Sequence, residues 1–121
     1  MNYLHIYAGA DGESHFEDGQ VPMEATVVLP DVPPWETTSP TPCGSYIFIR
    51  RSEEAGPNDF HVVPQRQLVV RLTGDAELQA SDGETRRVGP GMILLAEDTT
   101  GKGHRTVRAW GESTAVIIRL A

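Results

Sequence analysis

Cysteine is nearly absent from this sequence: Cys43 is the only one. A lone thiol closes no internal disulfide and builds no cysteine-rich zinc site. It fits a reducing compartment. Flanked by Pro42 and Gly44, with no histidine or basic residue beside it, Cys43 carries no mark of a nucleophile. Residues 1–16, MNYLHIYAGADGESHF, lack a charged start followed by an apolar block. That pattern excludes a signal peptide or a membrane span there, and the expected location is cytoplasmic. Positive charge is scarce: 10 Lys and Arg stand against 17 Asp and Glu, a net charge of −7. The basic residues are scattered singly or in pairs, as at Arg50-Arg51 and Arg86-Arg87. No basic stripe tracks a phosphate backbone, so no nucleic acid is expected as a partner. An acidic surface likewise argues against a membrane partner. Repeats, heptads, low-complexity tracts and any convincing helical pattern are missing too.

What is present reads as strands and turns. The 121 residues suit one compact domain, 1–121. The 39% hydrophobic and 22% charged content is ordinary for a soluble globular chain. Twelve glycines and nine prolines favour short strands joined by tight turns. In residues 2–8, Leu4 and Ile6 alternate with Tyr3, His5 and Tyr7, the pattern of a half-buried strand. Residues 9–19 are turn-rich, and a second extended piece over 25–29 stops at Pro30. The five prolines of residues 30–44 exclude a helix and suggest a loop that wraps the body, anchored by Trp35, or a plain loop. Strands are expected at 45–50, 67–72, 77–80, 85–88, 92–96, 105–110 and 114–120, with a polar connection between 51 and 60. Asp82-Gly83 is the strongest hairpin signal, because it supplies positive φ. Turn signals recur roughly every 8–12 residues, as in a sandwich or barrel.

Two segments carry candidate chemistry: residues 61–74, HVVPQRQLVVRLTG, and residues 97–104, EDTTGKGH. Each puts a histidine beside a strand-like run. Their spacing resembles the two motifs of the cupin superfamily. The first, His-x-His, then Glu, then Gly, falls on His61, Val63, Gln67 and Gly74; the second, Pro-x-Gly-x-x-His, on Thr99, Gly101 and His104. Val63, Gln67 and Thr99 depart from the pattern. The resemblance implies an all-β, cupin-type jelly-roll β-barrel (a double-stranded β-helix) in a small single-domain cupin that forms a homodimer.

The resemblance also implies a cavity with His61 and His104 as catalytic acid/base groups or metal ligands. A metal would be a divalent transition ion (Zn, Fe, Mn or Ni) on His61, Gln67 and His104. With valine at position 63 and a neutral amide at 67, that set leaves the ion's charge uncompensated. His15 is a candidate outside ligand or substrate contact, because residues 12–16, GESHF, are similar to a stretch in relatives of this cupin group. The plainer reading is a surface histidine. Without metal, the imidazoles still support proton transfer, and Gln67 can fix a carbonyl or hydroxyl. Asp98 can orient an imidazole, although Asp98-Thr99-Thr100 reads first as local turn chemistry.

Arg71 shares the alternating face of Gln67 and Val69 and can meet an anionic substrate group; the first reading is that a bulge or outward twist leaves it on the surface, paired with an acidic neighbour. Tyr46 and Phe48 share a face of their strand, as core packing or as an aromatic wall for substrate. Arg66 reads as structural. The leading expectation is a small-molecule ligand and an enzyme: an isomerase, cyclase, dehydratase or lyase acting on a carbonyl compound. The alternatives are a non-catalytic binding or dimerising module and a metal-dependent oxygenase.

Overall fold

The computed structural model describes residues 1–52 and 58–121. Residues 53–57, part of the polar connection read at 51–60, lie outside the described residues. The described residues form nine strands: β1 (Asn2–Ala8), β2 (Ser14–Gln20), β3 (Glu24–Thr26), β4 (Trp35–Thr37), β5 (Cys43–Arg51), β6 (Gln67–Ala80), β7 (Thr85–Val88), β8 (Ile93–Glu97) and β9 (His104–Leu120). No helix occurs among the described residues, and none is therefore long and apolar enough to cross a membrane. The fold is all-β, as expected. Seven strands make one sheet in the order β2-β1-β8-β6-β9-β5, with β7 also paired to β6; β3 and β4 make a separate hairpin. The pairing of β1 with β8 is parallel, and the other neighbours are antiparallel. Among the described residues the β2 and β5 edges are not paired with each other.

The period of two decides which side chains go inside. Leu4 and Ile6 of β1 are buried, as are Phe16 of β2, Leu78 of β6, Val88 of β7 and Leu94 and Ala96 of β8. They form one cluster with Val63. Each large apolar side chain buried in this way contributes about 1.5–3 kcal/mol.

Three departures from the sequence reading have local causes. The turn-rich reading of 9–19 misses β2, whose acidic outer residues mask the inward pair Ser14 and Phe16. The pieces expected at 67–72 and 77–80 are one strand, β6, and those at 105–110 and 114–120 are one strand, β9. Gly74 and Gly111 do take positive φ, 82° and 77°. The ladder absorbs them as irregularities between Arg71 and Asp75 instead of ending there. The proline segment does not wrap the body with Trp35 buried: Trp35 lies in the β3–β4 hairpin and is 52% exposed.

The irregular stretch of β6 matters for the site. Before it, β6 pairs with β8 and with the second half of β9; after it, with β7 and the first half of β9. Val69 and Arg71 from the first half and Leu78 from the second line one cavity.

Candidate functional site

The cavity has a volume of about 340 Å³. β5 contributes Ile49 and Arg51, β6 contributes Val69, Arg71 and Leu78, and β8 contributes Leu94; β9 adds His104, Thr106, Ser113, Ala115 and Ile117, and Asn58 and His61 complete the lining. The lining mixes aliphatic side chains with two imidazoles, two guanidiniums and small polar groups. A larger groove of about 560 Å³ near Tyr3, Asp18, Arg86 and Met92 holds no imidazole among its lining residues, so the chemistry lies in the smaller space.

The two motif histidines meet. His61 and His104 form an antiparallel bridge, each backbone N–H donating to the other's carbonyl at 3.0 Å. Their ring centroids are 5.1 Å apart. His61 is exposed, and its Nδ1–H donates to the Asp59 carbonyl at 3.1 Å. His104 is 8% exposed, and its Nδ1 lies 2.6 Å from Asp98 Oδ2. Asp98 is fully buried. With the carboxylate oxygen as acceptor, Nδ1–H is the donor in this contact, and Nε2 is the ring nitrogen that Asp98 does not engage. Asp98 thus does more than the local turn chemistry first read for it, although its carbonyl also accepts from Val63 N–H at 3.2 Å.

Glycines make this approach possible. Gly101 and Gly103 both have a φ of 74°. A Cβ on Gly103 would sit 1.9 Å from the His61 carbonyl oxygen. Ser14, fully buried, donates from Oγ to the Gly103 carbonyl at 2.7 Å and accepts from Ser81 N–H at 2.8 Å. The sequence reading missed Ser14; its only signal was alternation with Phe16.

The remaining candidates separate. Arg71 is 8% exposed and lines the cavity, which corrects the expectation of a surface position. Burial and the neighbouring Arg51 charge lower the Arg71 pKa from the ordinary guanidinium value. Gln67 is buried on the same alternating face of β6 but is not among the lining residues. Tyr46 and Phe48 are 65% and 70% exposed, edge to face at a centroid distance of 6.0 Å. Neither packs in the core, and Tyr46 does not reach the cavity. His15 faces away from the buried pair Ser14 and Phe16. Its Nε2 meets Asp11 at 3.0 Å and its Nδ1 meets Asp82 at 2.9 Å. The Asp11 hydrogen bond raises the His15 pKa, against desolvation and with Asp82 adding. His15 therefore belongs to a surface charge cluster, not to the cavity. Arg66 pairs with Glu97, whose other carboxylate oxygen meets His5 at 2.7 Å.

The expected metal set does not fit. Val63, at the second histidine position, is a core residue that is 5% exposed. Gln67 is off the lining. Among the described residues no three His, Cys, Asp or Glu side chains converge as a metal group. Arg51 and Arg71 would also repel a divalent cation in this cavity.

No family model and no curated protein matches this chain. Among solved structures it is similar to the crystal structure of protein NMB1881 from Neisseria meningitidis, with 17% identity over 63% of this chain and 72% of that one and a TM-score of 0.49. At that score the likeness carries no argument about function.

Proposed function

We propose that this chain is a small-molecule enzyme of the cupin type that moves a proton on a carbonyl compound. The observation that carries the reading is the buried Asp98 carboxylate 2.6 Å from His104 Nδ1, with His104 lining the cavity. In the neutral ring, Nε2 takes a proton from the carbon next to the carbonyl. The C–H electron pair then delocalises onto the carbonyl oxygen. Asp98 offsets the positive charge that the ring gains. The imidazolium returns the proton to a different atom in an isomerisation, or to a leaving group in a dehydration or lyase step. His61, at the exposed end of the cavity, relays protons to solvent. The reading is metal-free, because the donor set does not converge and two guanidiniums occupy the same space. The jelly-roll description belongs to this reading, as does the homodimer, for which the β5 edge with exposed Tyr46 and Phe48 is the natural seam.

A proton-exchange assay tests this. Small ketones and oxo acids are screened in D2O by proton NMR, and at least one of the two classes is expected to lose the signal next to the carbonyl faster with the protein than with buffer. With His104→Gln the acceleration should disappear. Equal rates with wild-type and variant would remove His104 from the chemistry. Saturable binding without exchange would leave a binding module.

A further inference from the structure

Arg71 poses a problem that the acid/base reading does not use. A guanidinium is charged at any physiological pH, and burying one without a partner is costly. Yet Arg71 is 8% exposed, and its Nη1 is buried with no hydrogen-bond partner among the described residues. It lines the cavity that holds His104. A second guanidinium, Arg51, lines the same space and donates to Thr106 Oγ1 at 3.3 Å. No acidic side chain is among the described lining residues. Two cations, with no anion among the described residues that line the cavity, make a site that favours negative charge. Val69, Leu78, Leu94 and Ile117 add aliphatic surface to the lining. They offer contact for a short hydrocarbon chain.

We infer that the cavity binds a small carboxylic acid, its carboxylate on Arg71 with Arg51 as the second cation, and that this pair restricts the enzyme to oxo acids. The inference rests on the acid/base reading for the carbonyl part and on the buried guanidinium for the carboxylate part. A planar carboxylate can take two parallel N–H groups of a guanidinium, and the aliphatic part of the lining, Val69, Leu78, Leu94 and Ile117, favours an acid with a hydrocarbon chain over strongly hydrated sulfate. Arg71 is a binding residue here and takes no part in the proton transfer.

Calorimetric titration separates these elements. The probes are 2-oxobutyrate, its neutral amide and sulfate, titrated at low ionic strength into wild-type protein and into Arg71→Gln, Arg71→Lys and His104→Gln. The acid is expected to bind wild-type protein about tenfold or more tighter than the amide or sulfate. Arg71→Gln should erase that preference, Arg71→Lys should keep part of it, and His104→Gln should keep nearly all of it. Equal affinity for acid and amide, tighter binding of sulfate, or no binding of the acid overturns the inference. So does an unchanged preference in a folded Arg71→Gln variant. Should that variant fail to fold, the wild-type ratio and Arg71→Lys still decide. Carboxylate binding without proton exchange would refute the acid/base reading alone. Exchange on oxo acids that is no faster than on neutral ketones and indifferent to Arg71→Lys would refute the carboxylate site alone.

Discussion

Gly103→Ala is expected to lower folding stability by about 3 kcal/mol or more, which for a domain of this size is roughly a 10 °C fall in Tm. The backbone there has a φ of 74°, a region in which a Cβ is already strained. The larger effect is steric. The new methyl would lie 1.9 Å from the His61 carbonyl oxygen and 2.6 Å from Val62 N, both backbone atoms that cannot rotate away. Relief requires the His61 segment to lift off His104, which breaks the paired 3.0 Å hydrogen bonds between them. Gly91 supplies the control. Its φ is 82°, but a Cβ there meets nothing within 4 Å, so Gly91→Ala should cost only the conformational part, about 1 kcal/mol. Denaturant melts of the two variants side by side measure the difference. Equal losses would mean that the glycine turn is not wedged against His61 as described.

Asp98→Asn should reduce kcat about 100-fold or more on whatever oxo acid the exchange assay identifies, with KM within a few-fold of wild type. Stability should change by about 1 kcal/mol or less: the amide oxygen can still accept from Nδ1, and the cost of an NH2 in the buried, unpartnered position of Oδ1 is offset by removal of a buried charge. What disappears is the negative charge facing the ring when it takes up a proton. Asp98→Ala differs in kind. It leaves a buried N–H with no acceptor and should lose about 1–3 kcal/mol of stability as well as activity. Steady-state kinetics beside chemical denaturation distinguishes the two roles. Normal kcat in a folded Asp98→Asn protein would reduce Asp98 to a packing group.

Several parts of this site were legible in the sequence. The alternation of Leu4 and Ile6 and the Asp82-Gly83 hairpin are local signals, and both appear in the structure, with Gly83 at a φ of 101°. The meeting of His61 and His104 followed from motif spacing. Other features depend on partners far along the chain. Gly74 and Gly111 read as turns because a local rule sees only positive φ, whereas the neighbouring strands carry the ladder through. Arg71 lay on the inward face by simple alternation, but a bulge or outward twist would leave it in solvent, and no local rule says that a cavity will accept a guanidinium. Asp98 looked like turn chemistry because the ring it holds belongs to the start of the next strand. Ser14 stood in a run so acidic that its strand went unread. His15 and Tyr46 were placed by likeness and by face-sharing, and neither signal fixes which side of a strand is inside.

The central claim is that Asp98 holds His104 with its proton on Nδ1 and its Nε2 bare toward the cavity. Long-range proton–nitrogen correlation NMR on 15N-labelled protein reads this directly, over the pH range where the ring is neutral. The account predicts the Nδ1–H tautomer for His104 in wild-type protein. A neutral ring protonated on Nε2, with a bare Nδ1, would contradict it: the carboxylate would then not be holding the base, and the proposed proton transfer would have no acceptor in the cavity.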